Sequence, residues 1–132
     1  MSPAKRETKD GSTVSTSLGT YQDHWPELAF DGRDDTFFWA DRALNEGDHF
    51  TIDFEQPKGG TVTVKTGGPA SQNGDQLENG VLEASVGGRW RELSAFSKGE
   101  ASAGLPEGTD KLRIRVTKPQ KNWLILHEVT VE

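Results

Sequence analysis

Short apolar stretches that alternate residue by residue, each closed by a cluster of Gly, Pro, Asn or Asp, recur from Val14 to the C-terminus, and they limit the chain to an antiparallel β architecture. A strand turns successive side chains to opposite faces, so a period of two marks a sheet with one face buried. In DHFTIDF (48–54), Phe50, Ile52 and Phe54 share one face, and Thr51 and Asp53 share the other. In KLRIRVT (111–117), Leu112, Ile114 and Val116 alternate with Arg113 and Arg115. Further strands are expected at VSTSL (14–18), TVTVKT (61–66), VLEASV (81–86), RWRELSAF (89–96) and WLILHEVTVE (123–132). GGPASQNGD (67–75), GG (87–88) and LPEGTD (105–110) separate them as turns. HWPELAF (24–30) accommodates a helical turn that starts at Pro26. The expected core comprises Phe50, Ile52, Phe54, Val62, Val64, Leu82, Trp90, Leu112, Ile114, Val116, Ile125 and Val129. Short strands at this spacing predict an all-β fold, an antiparallel sandwich or jelly roll.

At 132 residues the chain supports one core. Residues 1–13 show no periodicity and read as a flexible leader or linker, with the folded module spanning 14–132. The net charge is −6 and Lys and Arg are scattered, which argues against nucleic acid as a partner. With no apolar run of about 18 residues, no membrane span is expected, and an export signal would have to lie outside this stretch. There is no cysteine. His24, His49 and His127 are isolated, no G-x-S-x-G elbow occurs, and GGPASQNG lacks the Lys-Ser/Thr of a phosphate loop. No strand points several acids to one face as a glycosidase pair requires, so an enzyme is not expected.

FDGRDDTFFWAD (30–41), followed by GDHFTIDF (47–54), carries the chain's densest set of acids and turn residues. It resembles the first loop and strand of the discoidin, or coagulation-factor C-type, domains, and more closely the family 32 carbohydrate-binding modules of secreted glycoside hydrolases. NGVLEASVGGRWREL (79–93) resembles the strand, turn and strand of that family, and WLILHEVTVE its closing segment. The resemblance covers roughly residues 14–132. Gly87 stands where the family usually has Asp, and one extra aromatic lies between Thr36 and Trp39. The resemblance implies a galactose-binding-domain-like jelly roll and a structural Ca2+. Its ligands would be the carbonyl of Leu28, the carboxylate of Asp31, the carbonyl of Arg33, the carbonyl and hydroxyl of Thr36, the carbonyl of His127 and the carboxylate of Glu128. Read without the family, Asp31–Thr36 offers the hard oxygens and the turning glycine that calcium needs, and it equally fits a solvated Asx-rich turn.

A sugar site needs an aromatic ring for the apolar face of the pyranose and polar groups for its hydroxyls. Tyr21 and Trp123 are the loop aromatics placed for this, with Arg42, Asn73 and Asp75 as polar partners; Trp90 and Trp39 are assigned to packing. The expected role is a non-catalytic, monomeric module. It would recognise terminal hexose or N-acetylhexosamine, of galactose or N-acetylglucosamine type, and hold a tethered glycoside hydrolase near glycans. Its setting would be secreted, cell-surface or periplasmic. The alternatives are a discoidin-like protein-interaction domain and a structural spacer.

Overall fold

A computed structural model of the chain describes residues 6–8, 11–33, 36–67 and 75–132. The strands follow as β1 (Arg6–Glu7), β2 (Thr13–Thr16), β3 (Phe38–Trp39), β4 (His49–Thr66), β5 (Gly80–Val86), β6 (Arg89–Ala95), β7 (Glu100–Val116) and β8 (Ile125–Val131). Among the described residues one 3-10 turn occurs, at Pro26–Ala29, with proline in its first turn, where its missing N–H costs nothing. Among the described residues every strand pair is antiparallel, and no helix is long and apolar enough to cross a membrane.

Two long strands make the sandwich by running through both of its layers. The first part of β4 pairs with β2 and with the last part of β7, as in Ile52 with Val14 and with Leu112; β5 and β6 extend that layer. The second part of β4 pairs with the first part of β7 and with β8, as in Val64 with Ala101 and with Val129, and β3 closes that layer against β8. The ladder slips between Asp53 and Lys58 and again before Gly60, opposite Thr109 and Leu105. The sequence there is Gln56-Pro57-Lys58-Gly59-Gly60 against Leu105-Pro106-Glu107-Gly108. Proline lacks the ladder donor and bulges bend a strand, so both strands turn the corner at the same point.

Gly60 has φ +104°, and a Cβ there would run into the Glu132 carbonyl oxygen, which meets the Thr61 N–H at 2.8 Å. Gly60→Ala is therefore expected to cost about 2 kcal/mol from the positive φ and the clash together. Urea denaturation checks it: a midpoint equal to that of the parent protein would show that the corner is not rigid.

The interior joins the two layers. Phe38 of β3 is fully buried, and its ring lies 5.4 Å from that of Phe50 of β4. Eleven of the twelve expected core residues are buried; Trp90 is 39% exposed. Its register explains this. Trp90 pairs with Ser85, whereas Arg91 pairs with the inward Ala84, and a bulge between Leu82 and Glu83 resets β6 so that Leu93 packs on the core. Trp90 thus lies on the outer face, with the Arg113 guanidinium 3.9 Å from its ring centre. Arg113 Nε and Arg115 Nε donate to Glu83 Oε1 at 2.8 and 3.2 Å. Burial pushes the Glu83 carboxyl up, but the hydrogen bonds from Arg115 and Arg113 outweigh it and hold the group below its ordinary value.

Two stretches differ from the expected organisation. Residues 105–110, read as a separating turn, lie within β7. Within the stretch read as a leader, Arg6 and Glu7 pair with Val14 and Thr13, while Thr8 and Ser12 are buried. Such pairing uses backbone groups alone and leaves no apolar period in the sequence.

Candidate functional site

Three loops and the short strand β3 meet where β4 ends and β8 begins. The segment after β2 is laced onto β3: the Tyr21 N–H donates to the Trp39 carbonyl at 2.8 Å, and the Trp39 N–H to the His24 carbonyl at 3.1 Å. These bonds bring the Tyr21 ring to 4.7 Å from the Trp39 ring, and the ring of Trp123, just before β8, stands 5.4 Å from that of Tyr21. All three rings are half-buried. Both pairs are tilted, by 58° and 59°, so they form an angled aromatic wall. His24 stacks on Phe37 at 4.4 Å and meets Trp39 edge-on at 5.5 Å, which extends the wall toward the loop 31–36.

Asp75 fixes the centre of the wall. Its Oδ2 accepts from Trp39 Nε1 at 3.0 Å, its carbonyl accepts from the Ile125 N–H at 2.9 Å, and its φ is +63°. Aspartate is among the few residues that adopt this left-handed geometry readily. A carboxylate held beside aromatic rings offers an acceptor to a hydroxyl or amide N–H of a ring that stacks there.

Of the residues expected to bind sugar, Tyr21, Asp75 and Trp123 are thus brought together, while Asn73 lies outside the described residues. Arg42 is engaged elsewhere: its two terminal nitrogens each donate to one Asp48 oxygen at 2.8 Å, and also to the carbonyls of Ala43 and Ser17. Burial raises the Asp48 carboxyl, but bonds from Arg42, the Asn45 N–H and Ser17 overcome it and leave the group below its usual range. This bidentate pair pins the loop after Ala40. Trp39, assigned to packing, instead forms part of the wall; the packed residue is its neighbour Phe38. In a strand of two residues there is too little alternation to tell which ring faces in.

The expected metal-binding loop is drawn together as well. Thr36 Oγ1 donates to Asp31 Oδ2 at 2.6 Å and lies 3.4 Å from the Leu28 carbonyl, while the Gly32 N–H donates to Glu128 Oε2 at 3.2 Å. The Arg33 N–H turns back onto Asp31 Oδ1 at 3.0 Å, and the His127 ring meets Phe37 edge-on at 6.0 Å. The loop and the last strand therefore present two carboxylates, a hydroxyl and a carbonyl to one region, a hard oxygen set that suits calcium. Among the described residues no three His, Cys, Asp or Glu side chains cluster as a metal site. Any ion here would depend chiefly on carbonyl and hydroxyl oxygens beside those two carboxylates.

No family model matches the chain. It is 30% identical over 134 residues to an alpha-1,6-mannosyl-glycoprotein 4-beta-N-acetylglucosaminyltransferase of Gallus gallus, a match that covers 91% of this chain and 28% of that protein. A 4-beta-N-acetylglucosaminyltransferase C of Sus scrofa is 28% identical, again with 91% and 28% covered, so the chain spans little more than a quarter of these curated relatives. Among solved structures, a family 32 carbohydrate-binding module from a family 31 glycoside hydrolase of Clostridium perfringens superposes with a TM-score of 0.72 at 13% identity, covering 94% of this chain and 95% of that one. The family 32 module of NanJ from the same organism, solved in complex with galactose, gives 0.69 at 12% identity, with 89% and 90% covered. This chain has the discoidin-like β-sandwich fold of the family 32 carbohydrate-binding modules.

Proposed function

We propose that the chain is a non-catalytic carbohydrate-binding module that takes a terminal hexose or N-acetylhexosamine against the wall of Tyr21, Trp39 and Trp123. The wall itself carries this reading. Rings held by their neighbours give a pyranose an apolar platform without losing side-chain freedom on binding, and the Asp75 carboxylate beside them supplies the polar contact that orients it. Galactose and N-acetylglucosamine are the sugars to test first, since a fold relative is solved with the former and the curated relatives are named for transferring the latter. The module's work would be to hold a tethered glycan-active enzyme near its glycan, in an exported setting. That enzyme could be a glycosyltransferase as well as a glycoside hydrolase, because relatives of both kinds share this sequence or fold. A structural calcium in the loop 28–36, held by Leu28, Asp31, Arg33, Thr36, His127 and Glu128, would brace the wall from the side of Phe37.

A shallow site of this kind binds one sugar with a dissociation constant on the order of 0.1–1 mM. Trp39→Ala and Trp123→Ala are each expected to weaken that binding about tenfold or more, by removing a stacking face. Arg42→Ala should leave it unchanged. Titration of the two sugars, followed by chemical shifts, checks both statements. Shifts confined to the far end of the sandwich would displace the site, and none at ten millimolar sugar would end the carbohydrate reading.

A further inference from the structure

Gln120 is 8% exposed and lies outside the aromatic wall, yet it joins the loops from which the wall is built. Its Oε1 accepts from the Glu78 N–H at 2.9 Å, and its Nε2 donates to the Gln76 carbonyl at 2.8 Å. The same nitrogen stands 3.5 Å from the Asn122 carbonyl. Its backbone forms a bridge to Leu44: the Gln120 N–H donates to the Leu44 carbonyl at 3.1 Å and the Leu44 N–H returns a bond at 3.3 Å. One side chain and its own peptide thus connect residues 44, 76, 78 and 122.

The consequence for the wall follows from what flanks these anchor points. Asp75 precedes Gln76 and holds an uncommon left-handed backbone, φ +63°. Its carbonyl is fixed by Ile125 on one side, and its exit is fixed by the Gln76 and Glu78 bonds to Gln120 on the other. An unfavourable local conformation persists when surrounding bonds over-determine it. Asp75 in turn sets the Trp39 ring through Nε1, and Trp123 follows Asn122 directly. We infer that Gln120 is a positioning residue for the binding site: by clamping residues 76–78 to the loop 120–123, it keeps Asp75 on the Trp39 indole and Trp123 beside Tyr21. The clamp rests on the proposed sugar site for its use, though not for its geometry. An amide suits the task because it offers a donor and an acceptor at one buried point, and neither a carboxylate nor an ammonium supplies both.

The test uses Gln120→Leu, which keeps the bulk and removes the side-chain bonds, and Gln120→Glu, which keeps an acceptor for the Glu78 N–H and loses the donor to the Gln76 carbonyl. Indole N–H hydrogen exchange is read for Trp39, with Trp90 on the outer face as internal reference, and N-acetylglucosamine and galactose are titrated. In both variants Trp39 Nε1–H should exchange about tenfold faster relative to Trp90, because its acceptor Asp75 keeps the Ile125 bond but loses part of the anchor beyond it at residues 76–78. Sugar binding should weaken by a similar factor. Asn122→Ala, which removes only the exposed bond to Glu78, should change neither reading. Should Gln120→Leu fail to fold, Gln120→Glu decides alone. Trp39 exchange that stays in step with Trp90 overturns the inference whatever the change in melting temperature. A parent protein that binds neither sugar overturns the proposed function while the exchange comparison still judges the clamp.

Discussion

Ile114→Asp is expected to abolish the folded state at 25 °C, whereas Arg115→Gln, one residue further, should leave a cooperative fold that melts earlier. Ile114 is 2% exposed and lies between Phe50 and Leu82 in the middle of the first layer. An aspartate there forfeits about 2 kcal/mol of apolar burial and adds several kcal/mol for an uncompensated carboxylate, against a total of about 5–15 kcal/mol for a domain. Arg115 points to the other face, where its Nε and one terminal nitrogen donate to Glu83 at 3.2 Å. Its loss leaves Glu83 with the shorter bond from Arg113, so about 1 kcal/mol should go. Strand alternation by itself makes any polar residue at position 115 mild, and the structure corrects that: Arg115→Asp would set a second carboxylate against Glu83, 6% exposed, and should cost more than the neutral glutamine. Urea melts with near-ultraviolet circular dichroism order the three variants. A cooperative Ile114→Asp protein would contradict the assigned core face.

What the sequence disclosed follows from how each feature is encoded. Leu112, Ile114 and Val116 were legible because one buried face imposes a period of two on a strand. The corner was not, since Pro57, Gly59, Gly60 and Pro106 carry the same local information as the turns between separate strands. Only the pairing of Lys58 with Thr109 and of Gly60 with Leu105 shows that β4 and β7 both continue through it. Trp90 was misplaced because a bulge in β6 shifts parity without any mark in the residue types. At the site, Tyr21 and Trp123 stood out as aromatics in loops. The engagement of Arg42 with Asp48, six residues on, depends on how one loop folds back on itself, and the clamp at Gln120 depends on partners more than 40 residues away; composition and spacing record neither.

Removing divalent ions is expected to lower the melting temperature by about 10 °C, and the effect should vanish in Asp31→Ala and Glu128→Gln. An ion that binds only the folded state stabilises it by mass action, by about 2.7 kcal/mol at a hundred times its dissociation constant, and a domain of this size converts that into roughly ten degrees. The loop explains why those two side chains matter. Asp31 already gathers Thr36 and the Arg33 N–H around its carboxylate, and Glu128, 8% exposed on β8, meets the loop at Gly32. An ion held by both side chains would tie the loop to the last strand, so chelation should loosen that junction. Glu128→Gln keeps an oxygen for the Gly32 N–H and removes only the charge, which separates ion binding from the local hydrogen bond. Asp41→Ala, at an exposed acid outside this loop, should keep the full calcium response. Melting curves that coincide with and without excess chelator, in protein shown by elemental analysis to carry no metal, would reduce the loop to a self-bonded Asx turn. A calcium response that survives in Asp31→Ala would move the ion elsewhere.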